Sequence, residues 1–162
     1  MSQDEIDKKS GKAYVAVQIQ LALLSKKSYP DQKFLEEIVD IIAEEFDFLS
    51  VDIRLLDAAK ETAIYRAGTA REKRLARRVG DNSLVGKALA LGKVLMTELE
   101  QNPFQPTAYS QVAIPIKLQD GLIGAFEISS SRELDPSVVS SLESVTQDVA
   151  TILRNSKIIS AG

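Results

Sequence analysis

Gly80-Asp81-Asn82-Ser83-Leu84-Val85-Gly86-Lys87-Ala88-Leu89-Ala90-Leu91-Gly92-Lys93-Val94-Leu95-Met96 opens the stretch that decides the fold, and Val112-Ala113-Ile114-Pro115-Ile116-Lys117-Leu118-Gln119-Asp120-Gly121-Leu122-Ile123-Gly124-Ala125-Phe126-Glu127-Ile128 closes it. The first run reads as a short helix followed by a strand. Ser83 caps the N-terminus, and Gly92 ends the helix in the left-handed region. The second run reads as a tight hairpin. Asp120-Gly121 suits a two-residue type I′ turn, which needs positive φ at both central positions. That turn sets Ile114 opposite Glu127 and Ile116 opposite Ala125, placing a carboxylate among Val112, Ile114, Ile116, Leu118 and Ile123. An unpaired buried carboxylate is costly, so Glu127 should find a cation, a helix N-terminus or water. Two readings stay open: a polar anchor in a ligand pocket, or an ion pair with Arg54 or Arg66 or a solvated strand end.

Outward from this stretch, residues 3 to 27 read as a helix, with Ile6, Ala13, Val17 and Leu24 on one stripe. Tyr14, Val15, Ile19 and Leu21 widen its apolar surface beyond one face. Ser28-Tyr29-Pro30-Asp31 has the spacing of a capping box with an early Pro. A second helix follows from about 30 to 46, with Phe34, Leu35, Ile38, Ile41, Ile42 and Phe46 as its stripe. Val51, Ile53 and Leu55 alternate with Asp52, Arg54 and Leu56 in a first strand. A second strand carries Ile64 and Arg66 against Ala63, Tyr65 and Ala67, and Gly68 ends it. Residues 69 to 79 suit an extended strand or a loop, and the pattern does not choose. Pro103 and Pro106 mark a loop over 99–110. The last helix starts at Asp135-Pro136, a cap followed by Pro at the first helical position. Antiparallel strands flanked by terminal helices argue an α+β class.

Composition bounds the chemistry. The chain of 162 residues is 44% hydrophobic and 27% charged, with net charge −3, as in a water-soluble globular domain. It contains no Cys and no His. A Cys nucleophile, a disulfide, a thiolate-held zinc and an imidazole base are therefore excluded. No run approaches the roughly 18 apolar residues of a membrane span. The acidic start, Met1-Ser2-Gln3-Asp4-Glu5, lacks the basic and apolar regions of a signal peptide. A cytoplasmic setting is the expectation, with no membrane and no nucleic-acid partner. No enzymatic activity, cofactor or metal is expected.

The order of helix, strand and apolar hairpin with Pro115 in its first arm resembles the GAF domain, a regulatory module of signalling proteins. The resemblance spans about Phe34 to Leu153. It implies an antiparallel sheet with the terminal helices on one face. A short helix and loops over the other face would roof a ligand pocket. It also implies a sensor or dimerising module, with either a working or a filled pocket. Phytochrome-type members attach a bilin through Cys, haem-binding members use His, and free methionine sulfoxide reductases use Cys. None of these can operate here as usually built. The asparagine, lysine, phenylalanine and aspartate motif of cyclic-nucleotide-binding members is not visible at a matching spacing.

The resemblance places Tyr65, Arg66, Ser83, Thr97, Tyr109 and Gln111 nearest such a pocket, between the sheet and the 84–91 helix. Its ligand would be small, partly apolar, and neutral or anionic. Ordinary capping and loop chemistry explains these residues equally well. Phe104, Tyr109 and Leu84 would fill the space in a vestigial pocket. Arg66, Arg71, Lys73, Arg74, Arg77 and Arg78 form a basic cluster, read as an anion or acidic-partner site or as a solvated loop. Glu36, Asp40 and Glu44 repel at i, i+4 spacing and either meet lysines of the first helix or stay solvated. Val138, Leu142, Val145, Val149, Ile152, Ser156 and Ile159 keep a 4-3 seam, so a homodimer through the first and last helices is expected. The reading divides the chain into a dimerising helix (1–29), a GAF-like domain (30–154) and a C-terminal helix extension (155–162).

Overall fold

A computed structural model describes residues 2–98, 110–119 and 121–159. Four helices, α1 (Gln3–Leu24), α2 (Asp31–Phe46), α3 (Leu84–Leu91) and α4 (Pro136–Asn155), accompany six strands. The strands are β1 (Ser50–Leu56), β2 (Thr62–Gly68), β3 (Arg77–Arg78), β4 (Leu95–Glu98), β5 (Ser110–Leu118) and β6 (Gly121–Ser130). They form one antiparallel sheet of order β3-β2-β1-β6-β5-β4. The class is α+β, as the strand and helix order implied.

The alternation in the strands sorts the two faces. Val51, Ile53, Leu55, Val112, Ile114, Ile116, Phe126 and Ile128 meet the helices in the main core. There α2 packs on β1 and β2, α4 packs on β5, and α1 bridges α2 and α4. The opposite face carries Ala63, Ala113 and Ala125, small residues on which Val85, Ala88 and Leu89 of α3 settle in a second, smaller core. The absence of a Cβ matters most at Gly124. A methyl there would stand 2.1 Å from the Arg54 carbonyl oxygen and 3.0 Å from the Leu55 Cα. β1 and β6 can pair this closely only because that position is glycine.

Several elements depart from the sequence reading. Helix α1 stops at Leu24 because Ser25 takes the C-cap and its hydroxyl donates to the Leu21 carbonyl. Pro30, not Ser28, holds the N-cap of α2, and no side chain caps it. In the hairpin, Leu118 pairs with Gly121, so the turn falls one residue earlier than Asp120-Gly121; Asp120 lies outside the described residues. Gly121 still uses a backbone cheap only for glycine, φ 139°, but as the first residue of β6. A register shift at Ile116/Lys117 follows, and Glu127 pairs with Ala113 instead of Ile114. Cross-strand partners share a face. Glu127 therefore belongs to the α3 side and not to the apolar helix side.

The helical boundaries also change. Helix α4 ends at Asn155, and Lys157 turns back at φ 61°. The N–H groups of Ile158 and Ile159 return to the Leu153 carbonyl. Both isoleucines then pack against the main core, a larger gain than continuing as solvent-exposed helix. Beyond Asn155 no helical extension covers 156–159. The centre of the seam is spent at home: Leu142, Val145 and Val149 are buried in their own core, with Leu153 beside them. Likewise Ala13, Val17, Leu21 and Leu24 of α1 belong to that core, so the first helix is built into the domain.

Candidate functional site

On the α3 side, the strands change character along their length. Beneath α3 lie the alanines. Two residues along β5 and β6 come Gln111 and Glu127, and the neighbouring β1 presents Asp52 and Arg54. Register puts Asp52 opposite Glu127, and Arg54 between Tyr65 and Ala125. Two carboxylates and a guanidinium thus share a sheet face where packing alone would favour apolar groups.

Arg54 is the largest fully buried side chain, 1% exposed. Its Nη1 lies 3.4 Å from Glu127 Oε1, and its Nε donates to the Leu75 carbonyl at 3.3 Å. Its guanidinium carbon stands 5.9 Å from the Tyr65 ring centre, within cation–π range. Asp52 is paired by Arg74 at 3.2 Å. Gly68 makes room for Asp52, since a Cβ there would stand 2.2 Å from its Oδ1 and 2.5 Å from the Tyr65 hydroxyl. Three polar atoms are buried without a hydrogen-bond partner among the described residues: Arg54 Nη2, Arg77 Nε and Asp52 Oδ1.

Segment 69–76 is a solvent-exposed strap anchored to this floor and to α2 by its arginines and the Leu75 carbonyl. Arg71 reaches Glu36 at 3.8 Å and also binds Asp40, both on α2. These contacts relieve the repulsion within the acidic face of α2, a role the sequence reading offered to the lysines of α1. Arg74 and the Leu75 carbonyl grip Asp52 and Arg54. Arg77 and Arg78 then pair with Ala63 and Thr62 as the short strand β3, which resolves the 69–79 segment into loop and strand. Asp81 folds the next turn, accepting from the Arg78 N–H and from the N–H and hydroxyl of Ser83. Ser83 then accepts from Gly86 N–H as the N-cap of α3.

Strap, floor and α3 border an open cavity of about 720 Å³. Its wall includes Arg54, Arg74, Arg77, Glu127, Ser83 and Gln111. Of the residues the sequence placed near a pocket, Ser83 and Gln111 meet here. Tyr65 and Arg66 line a neighbouring hollow of about 340 Å³ with Gln32, Glu36 and Arg71. Thr97 is exposed on edge strand β4, where it pairs with Gln111, and its hydroxyl donates to the Glu98 carbonyl. Tyr109 and Phe104 fall outside the described residues. The sequence reading did not place Asp52, Arg54, Arg74, Arg77 and Glu127 in one site. Their signal was charge at successive inward positions of two strands, which only the register assembles.

Burial raises the Asp52 carboxyl above its ordinary value, while Arg74 and Arg54 oppose the rise. Burial and then the Asp52 charge raise the Tyr65 hydroxyl. Asp81 behaves in the other sense: burial would raise it, but the hydrogen bonds from Ser83 and Arg78 win and lower it. The raised Asp52 means that folding takes up a proton, so its contribution is fully present below pH 3.8 and is lost as pH rises through the folded value. Asp52→Asn is expected to flatten that limb of the stability-against-pH curve, measured by urea unfolding across the acidic range. An unchanged limb would place the proton elsewhere.

No protein-family model matches the sequence, and no curated protein is detectably similar to it. Its architecture does match solved structures. The nlh2 GAF domain of A. aeolicus in an inactive state is 13% identical, with 91% of this chain and 99% of that one covered at TM-score 0.76. The GAF domain of the Acinetobacter phosphoenolpyruvate-protein phosphotransferase is 12% identical, with 90% and 95% covered at TM-score 0.72. The free methionine-R-sulfoxide reductase of Neisseria meningitidis, solved with its substrate, is 15% identical, with 90% of each chain covered at TM-score 0.74. At these identities the likeness shows the fold: the chain has the GAF architecture. That architecture serves both signalling domains and an enzyme.

Proposed function

We propose that this chain is a regulatory signalling domain that senses a small molecule in the cavity under the strap and passes its occupancy to the helical layer. One observation carries the reading: the buried Arg54 guanidinium opens on that cavity with Nη2 unpartnered among the described residues. A module kept only for packing would lose little by replacing Arg54 and its carboxylate neighbours together with apolar groups. The cavity falls within the roughly 300–1,000 Å³ usual for small-molecule sites. The strap supplies the link, since it holds Arg54 and Asp52 at one end and α2 through Arg71 at the other. A catalytic role is disfavoured by the lack of Cys and His. No helix among the described residues is long and apolar enough to cross a membrane, and a cytoplasmic setting is part of the proposal.

Native mass spectrometry of protein purified from its own host tests the reading. A retained small molecule, released by Arg77→Gln, is the expected result. A metabolite screen should add thermal stability of about 5–10 °C when the ligand is at 100 times its dissociation constant. A bare mass together with a flat screen would leave the alternative of a dimerising scaffold.

The domain also acts as a homodimer in this proposal, but through the outer face of α1. Val15, Ile19 and Leu23 recur every fourth residue there and are 51%, 57% and 55% exposed. Changing all three to lysine touches no core residue, so folding should survive. Sedimentation at micromolar concentration should shift from dimer to monomer. A wild-type monomer under those conditions would remove dimerisation from the proposal.

A further inference from the structure

The unmet groups of the cavity say more about what it holds. Arg54 Nη2 and Arg77 Nε are both N–H donors, both buried and both unpartnered among the described residues, and both residues line the cavity. We infer that the ligand is a small organic anion whose carboxylate or phosphate group is held by Arg54 and Arg77; this rests on the sensing role proposed above. Four cations, Arg54, Lys73, Arg74 and Arg77, stand in the wall against two carboxylates, Glu72 and Glu127. Arg74 is committed to Asp52, and Arg54 gives Nη1 to Glu127 and Nε to the Leu75 carbonyl. Arg54 Nη2 still needs an acceptor, and an anionic oxygen of a carboxylate or phosphate gives it a charge-assisted hydrogen bond.

Further features agree. The N-terminal end of α3, at Ser83 and Leu84, forms part of the same wall, and a helix N-terminus favours negative charge. Asn82, Ser83 and Gln111 offer polar contacts, whereas Leu75 and Leu84 are the apolar lining. A compact polar anion fits that wall better than a large apolar body. Glu127 is the anion already present, and at 3.4 Å it holds Arg54 loosely. The ligand therefore competes with Glu127 for the guanidinium.

The test is a titration of the full chain at constant ionic strength, followed through the side-chain Nε–H resonances of Arg54 and Arg77. Inorganic phosphate and acetate are the two anionic probes, with acetamide as the uncharged isostere of acetate and chloride as the ionic control. Saturable shifts of both arginines with phosphate or acetate, and none with acetamide, are expected; whichever anion binds more tightly identifies the group. Arg77→Gln, whose fold is checked by its backbone spectrum, should weaken the better anion about tenfold, as for loss of one charge-assisted hydrogen bond. Glu127→Gln should tighten it severalfold by removing the competitor. Equal binding of acetamide, or anion shifts unmoved by Arg77→Gln, would overturn the anion while leaving the sensing role intact. Failure of every probe and of the metabolite screen would remove both.

Discussion

Leu142→Glu combined with Val149→Glu should unfold the domain. These residues sit on the 4-3 seam of α4, and on sequence grounds they would be the natural positions for breaking a dimer. Both are buried in the chain's own core, at 1% and 0% exposure. A carboxylate forced into that packing finds no cation, because the surrounding core is apolar. The cost is several kcal/mol per site, on top of the roughly 2–5 kcal/mol lost when a buried Leu is truncated. Two such changes meet or exceed the roughly 5–15 kcal/mol by which a domain of this size is stable. Circular dichroism should show loss of the cooperative transition, not a folded monomer. Lysine at Val15, Ile19 and Leu23 is the contrasting set, with the small ΔΔG expected for exposed sites. A folded monomer from Leu142→Glu/Val149→Glu would show that the seam faces outward in solution.

Arg54→Met should have the second largest effect, a loss of about 3–5 kcal/mol, as when one partner of a buried ion pair is removed. Register explains the size. Asp52 and Glu127 lie directly opposite on β1 and β6, and Arg54 is the buried cation between them and the strap. Without it, two carboxylates face each other with only the half-exposed Arg74 to screen Asp52. The loss should grow as pH rises through the titration of Asp52, since a protonated Asp52 relieves the repulsion. Adding Glu127→Gln should recover roughly 1–2 kcal/mol, because a neutral amide tolerates the site better than an uncompensated charge. Urea unfolding of the four-member cycle measures the coupling. Additive losses would mean that Arg54 serves packing and the Leu75 contact, not the carboxylates.

The sequence by itself determined the class and most of the elements. Alternation in β1 and β5, the Ser83 and Gly92 caps of α3, and Asp135-Pro136 at the start of α4 are local signals, and local backbone preference enforced them. The lack of Cys and His closes whole reaction classes through composition alone. What only the tertiary structure decided was pairing. A single register shift at Ile116/Lys117 moved Glu127 from the apolar helix face to the α3 face, because strand side chains alternate with period two. That shift, with the β1–β6 register, turned isolated charges into the Asp52–Arg54–Glu127 cluster. The basic run at 71–78 resembles a solvated loop in sequence because its partners, Asp40 on α2 and Asp52 on β1, are distant along the chain. The seam of α4 resembles an intermolecular one for the same reason. A heptad stripe records that an apolar face must be buried, and only packing decides whether the surface that buries it belongs to the same chain or to another.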